Sequence, residues 1–155
     1  MDKSKKNITN RIKTFDDALE ELGPNHPLVK EYKALCKADV TENTVVYSRL
    51  CVITAAMNEG WEPKFIREEY RYFPYFYLHS EEDIIRMSEE RKSRVVCLSY
   101  GNTSEYGGVS FIVAGSYPTG IIAYIGARLA FKTKELAEYA GKQFTKLYAE
   151  YLLKA

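Results

Sequence analysis

The run Ile121-Ile122-Ala123-Tyr124-Ile125-Gly126-Ala127-Arg128-Leu129-Ala130-Phe131, with the segment that follows it to Leu152, decides the reading of the fold. Its β-branched and aromatic residues carry no charge before Arg128, the composition of a largely buried strand. Thr133 then offers a hydroxyl to cap a helix. The apolar positions of that helix fall at Leu136, Ala140, Phe144, Leu147 and Tyr151, widened by Ala137 and Tyr148. A strand feeding a helix needs sheet partners on one side and a packing surface on the other, and the upstream chain has to supply both. Gly141 costs the helix about 1 kcal/mol relative to alanine. A glycine there predicts close approach by another element, an aromatic ring of the sheet or a neighbouring subunit.

The sheet partners lie between residues 70 and 114. Residues 70–78 are almost wholly aromatic and strand-like, and Pro74 among them predicts an edge strand or a bulge. Residues 94–100 and 109–114 read as two further strands, with 101–108 as a glycine-rich loop between them. Ser80 caps a charged surface insert, 81–94, that holds at most a short helix.

The helical surface comes from the N-terminal half. Thr14-Phe15-Asp16-Asp17 is a capping box with aspartate in the usual glutamate position. It opens a helix with Phe15, Ala18, Leu19 and Leu22 on one face, stopped by Gly23-Pro24. Pro27 sits in the first turn of a second helix, where a missing N–H costs nothing, and His26 before it reads as a cap or surface residue. Thr41 caps a third, whose Val45, Val46, Leu50, Ile53, Ala56 and Met57 are joined by Cys51 and Val52 to close nearly the whole circumference. Asn58-Glu59-Gly60 stops it, and Trp61 covers its end. The expected architecture is α+β: three N-terminal helices, a four-stranded antiparallel meander, and a C-terminal helix packed on one face of the sheet.

A chain of 155 residues fits one domain. The expected division is a basic flexible tail over 1–13, with Lys3, Lys5, Lys6, Arg11 and Lys13 against Asp2, and a single domain over 14–155. The global charge of +1 favours no class of partner. No apolar run reaches the ~18–20 residues of a membrane-spanning helix, so no membrane association is expected. Cys36, Cys51 and Cys97 are odd in number and form no CxxC, which suits buried, reduced thiols.

Catalytic signals are sparse. His26 and His79 are the two histidines available as a base, and a Cys97–His79 pair is opposed by Cys97's place among Val95, Val96 and Leu98. The carboxylate pairs at 81–83 and 89–90 alternate with Arg86, Arg91 and Lys92 and read as a solvated face. No zinc spacing and no phosphate-cradling glycine motif is present, so no metal and no cofactor is expected.

Three stretches carry a resemblance. The residues from Gly126 through Arg128-Leu129-Ala130-Phe131-Lys132-Thr133 to Phe144 resemble a family of small proteins encoded by bacteriophages and prophages of Bacteroides-type gut bacteria. Ala55-Ala56-Met57-Asn58-Glu59-Gly60-Trp61-Glu62-Pro63 and the cluster Tyr72-Phe73-Pro74-Tyr75-Phe76 follow the same pattern, and the insert after Leu78 departs from it. The resemblance implies a phage origin, residence in the host cytoplasm during expression or in the virion, and no enzymatic activity.

Tyrosine is the compositional excess, with 13 residues. It joins an apolar ring to a hydroxyl that can stay wet, which suits interfaces. The candidate interaction surface is Tyr70, Tyr72, Tyr75, Tyr77, Tyr100, Tyr106 and Tyr124 with Arg71, Arg94 and Arg128. Two functions follow as expectations. The first is a non-enzymatic binding protein that contacts a phage or host protein, or a second copy of itself, through a tyrosine-rich sheet face. The second is a single-stranded nucleic-acid binder that stacks bases on the sheet and meets phosphates with the basic arm.

Overall fold

The computed structural model describes residues 7–64, 66, 69–98, 106–118 and 127–153. Four helices come first: α1 (Ile8–Arg11), α2 (Phe15–Leu22), α3 (Pro27–Leu35) and α4 (Glu42–Met57). Strand β1 (Tyr70–Ser80), short helices α5 (Glu81–Arg86) and α6 (Glu89–Lys92), and strands β2 (Val96–Cys97) and β3 (Tyr106–Pro118) follow. A 3-10 turn at Ala127–Leu129 leads to α7 (Lys134–Gln143) and α8 (Thr145–Leu153).

Local chemistry explains most helix starts. The Thr14 hydroxyl accepts the Asp17 N–H at 3.2 Å while the Asp17 carboxylate accepts the Thr14 N–H at 2.8 Å, the reciprocal box the spacing predicts. Gly23 ends α2 with φ of +79°, a backbone angle glycine reaches without steric cost. His26 Nδ1 accepts the Leu28 N–H at 3.3 Å ahead of Pro27, and Thr133 caps α7. Thr41 occupies the cap position of α4 but pairs its hydroxyl with Thr44 instead of the backbone.

Helix α4 is the spine. Buried residues run round its whole circumference, from Val46 through Leu50, Cys51 and Ile53 to Met57, and the Thr54 hydroxyl donates to the Leu50 carbonyl at 2.9 Å. Helices α2 and α3 lie against it on one side, and α8 meets it on another. One core cluster runs continuously from Ile8, Ile12 and α4 to Phe131, Leu136 and Tyr148. Residues 7–13 are therefore no tail: Ile8 and Ile12 are buried, and Arg11 is ion-paired with Glu21 and Glu59.

The sheet corrects the expected meander. Among the described residues it has three antiparallel strands in the order β1-β3-β2, with β2 pairing only Val96 with Val109 and Cys97 with Gly108. Among the described strands β1 is an edge, and its ladder shifts register between Tyr75 and Phe76, one residue past Pro74, as the proline predicts. Residues 121–126 of the expected fourth strand lie outside the described residues. The rest of that run is the 3-10 turn and a single bridge between Phe131 and Tyr72. The reason is where its hydrogen bonds go: buried Asn58 donates to the Ala130 carbonyl at 2.8 Å and accepts the Lys132 N–H at 3.1 Å. A backbone satisfied by a side chain has less need of a neighbouring strand.

The expected single C-terminal helix is two. Phe144 leaves the helical region at φ −111°, and the Thr145 hydroxyl bonds back to the Gly141 carbonyl at 2.6 Å. Helix α7 packs on β1 and β3, and α8 on β3. At Gly141 helix and sheet approach closely: a Cβ there would lie 2.4 Å from the Phe111 ring and 2.8 Å from Pro74 Cβ. The insert after β1 likewise holds two short helices, α5 and α6, where one was expected.

Candidate functional site

The two faces of the β1–β3 ribbon have different neighbours. Phe76 stacks against Tyr148 of α8, with ring centroids 4.8 Å apart, and meets Phe111 at 6.0 Å. Pro74, Phe76, Phe111 and buried Ala114 thus look toward the helices. Side chains alternate along a strand, so Arg71, Phe73, Tyr75, Tyr77 and His79 belong to the other face. There the Tyr75 ring lies over Gly115, where a Cβ would come within 2.3 Å of it. His79 Nε2 bonds the Ser110 hydroxyl at 2.8 Å, and its ring sits 6.0 Å from that of Tyr77. Tyr77 is 60% exposed, and Val113, paired in register with Tyr75, is 42% exposed.

The expected tyrosine–arginine surface does not assemble as one patch. Tyr75 and Tyr77 share the outward face, whereas Tyr72 packs against the core. Tyr70 and Tyr106 are exposed at opposite ends of the ribbon, opposite Pro118 and Ser80 in register. Tyr100 and Tyr124 lie outside the described residues. Arg71 is only 3% exposed, and its guanidinium donates to the Lys64 carbonyl, so it is a buried clamp on the preceding segment instead of a surface cation. Arg94 pairs with Glu90 at 2.6 Å on exposed α6. Arg128 sits at the 3-10 turn, 2.8 Å from Glu31 of α3, and that carboxylate raises its already high pKa.

Several exposed apolar residues escaped the sequence reading. Leu78, Ile112 and Val113 stand open on the ribbon, and Ile85 of α5 is 74% exposed. The signal was present in a β-branched strand with no charge between Glu105 and Arg128, but composition alone assigns such residues to the interior. A cavity of about 520 Å³ also opens beside the end of α4, walled by Leu22, Pro27, Leu28, Trp61 and Pro63. Trp61 is half-buried there, and its indole N–H donates to Glu69 at 3.1 Å.

The ionisable groups are engaged structurally. Cys51 is buried and its thiol is pushed up by desolvation, and Tyr47 beside it is pushed up to about 12 chiefly by burial. Cys36 and Cys97 are exposed, which corrects the expectation of three buried thiols; β2 is too short to enclose Cys97. His79 bonds the Ser110 hydroxyl, and Cys97 pairs with Gly108 from the opposite edge of β3, one strand removed from His79. Among the described residues no group of three or more His, Cys, Asp or Glu side chains is placed to hold a metal ion. Nor is any described helix long and apolar enough to cross a membrane.

The chain is an α+β protein by its elements. No protein family, curated protein or solved structure matches it.

Proposed function

We propose that this is a non-enzymatic, phage-encoded binding protein that docks a protein partner on the outward face of the β1–β3 ribbon. The observation that carries the reading is the side-chain set on that face: Tyr77, 60% open to solvent, with Tyr75 and its exposed register partner Val113 on a two-stranded platform. Contiguous exposed apolar side chains on a rigid element mark interaction sites, and tyrosine is favoured at their centres because burying its ring costs little rotamer entropy. The platform is held from behind by Phe76, Phe111 and Tyr148, so its geometry exists before any partner arrives. The phage setting rests on the resemblance carried by the stretch from Gly126 to Phe144 and by the two shorter motifs. Partners in keeping with it are a virion component, a host protein or a second copy of the chain.

Light scattering coupled to size-exclusion chromatography, run beside cross-linking in phage-expressing cells, tests this. A defined oligomer or a stoichiometric cross-linked partner through the ribbon is expected. A strict monomer whose ribbon residues cross-link to nothing contradicts the reading.

A further inference from the structure

A second groove, of about 690 Å³, lies between the end of α6 with β2 and the junction of α7 and α8. Its floor is apolar, formed by Val96, Phe111 and Ile112. Its rim carries three cations, Arg94, Lys142 and Lys146, against one carboxylate, Glu138, and Glu138 already pairs with Lys134 at 3.7 Å. Lys142 holds its ammonium 5.6 Å from the Phe111 ring centroid. Among the described residues neither Lys142 nor Lys146 forms an ion pair; Arg94 has only its exposed contact with Glu90. Lys13 adds a fourth cation at the Gln143 end, where its carbonyl accepts the Gln143 amide at 2.7 Å and its ammonium lies over Tyr139. The chain is nearly neutral overall, so this concentration of positive charge is local.

We propose that this groove binds single-stranded nucleic acid, with Arg94, Lys142 and Lys146 on the phosphates and the apolar floor under the bases. Charge complementarity selects a polyanion. The shape of β3 then selects between polyanions. Ile112 is the extra residue where the β1–β3 register shifts, and β2 pairs with β3 only at Val109 and Gly108, so the strand edge beside the groove is irregular. An acidic peptide adding itself as a strand needs a regular ladder of backbone groups. Phosphates need only cations at the rim, and bases need only an apolar surface. The site is separate from the ribbon's outward face, and its success or failure is independent of protein docking there.

Fluorescence anisotropy of the full chain with a labelled, mixed-sequence single-stranded oligonucleotide tests the proposal. Three neutralised phosphates give a log–log salt slope of about −2, so a roughly fourfold rise in salt is expected to weaken binding about 20-fold. The double substitution Lys142→Glu/Lys146→Glu is expected to weaken it at least about tenfold. Lys30→Glu/Lys33→Glu, the same charge change on exposed α3, is expected to leave the groove's contribution intact. Lys146→Glu alone, at a residue with no ion pair to lose, gives the same direction without disturbing the Lys142–Phe111 contact. No binding at low salt, or equal losses from the two double variants, overturns the proposal. Groove-dependent capture of a polyglutamate peptide with none of the oligonucleotide overturns it in favour of an acidic protein segment.

Discussion

Helix α4 and the outer half of the β1–β3 ribbon use similar residues in opposite ways. Around α4, valine, leucine, isoleucine and methionine are almost wholly removed from water, and the buried polar side chains of Thr54 and Asn58 have hydrogen-bond partners. On the ribbon, tyrosine, leucine, isoleucine and valine stand in solvent beside a helix, α5, that buries none of its residues. Burial at about 25 cal/mol per Å² makes the first set the source of stability. The second set contributes little to it and carries a solubility cost, which a binding role explains. The two regions should therefore respond differently to substitution, and the contrast is open to direct attack.

The largest effect is expected at the joint between α4 and the C-terminal layer. Asn58→Ala leaves the Ala130 carbonyl and the Lys132 N–H without their buried partner, and each such loss costs about 1–3 kcal/mol. A total of about 3 kcal/mol is expected from urea denaturation; a change near zero would mean that Asn58 is only a helix stop. Gly141→Ala comes next, and its sign is the test. In an open helix alanine gains about 1 kcal/mol. Here the new methyl meets Phe111 and the rigid Pro74 ring, and overpacking of this kind costs about 1–3 kcal/mol. Net destabilisation of about 1 kcal/mol is expected, and a raised melting temperature would show that sheet and α7 are not closely packed.

A smaller effect is expected in acid. Asp17 is held below the ordinary carboxylate value first by the Lys13 backbone N–H and then by Thr14; Asp83 is held below it by Ser80. A carboxylate with a depressed folded pKa contributes stability that is complete at neutral pH and is lost as pH falls through the depressed value. Thermal melts of the wild type should therefore decline in acid, and Asp17→Asn/Asp83→Asn should decline less steeply over the same range. Parallel declines would remove the two caps from the account of acid sensitivity.

Legibility in the sequence followed the range of the interaction. Caps at Thr14, His26, Ser80 and Thr133 were readable because donor and acceptor lie within a turn of each other. The close approach at Gly141 was readable because a glycine in a helix has few other reasons to be there. The run from Ala127 to Phe131 was misread: a short, buried apolar segment looks the same as strand or as turn, and what settles it is Asn58, 72 residues from Ala130. Arg71 and Cys97 failed for the same reason. Whether a side chain in an aromatic strand is covered depends on the segment at Lys64 and on the length of β2, neither of which is local. Of the candidate surface, Tyr75 and Tyr77 fell together, while the arginines went to three separate structural tasks.

The most direct test of the central claim separates stability from binding in one protein. Tyr77→Ser/Val113→Ser alters two outward residues of the ribbon without touching the core, and surface changes of this kind stay within about 0.5 kcal/mol each. Denaturation midpoint and oligomer or cross-linked-partner yield, measured on the same preparation, should show the first nearly unchanged and the second abolished. A protein that loses its fold while keeping its partner, or keeps both, would contradict the division of labour between α4 and the ribbon.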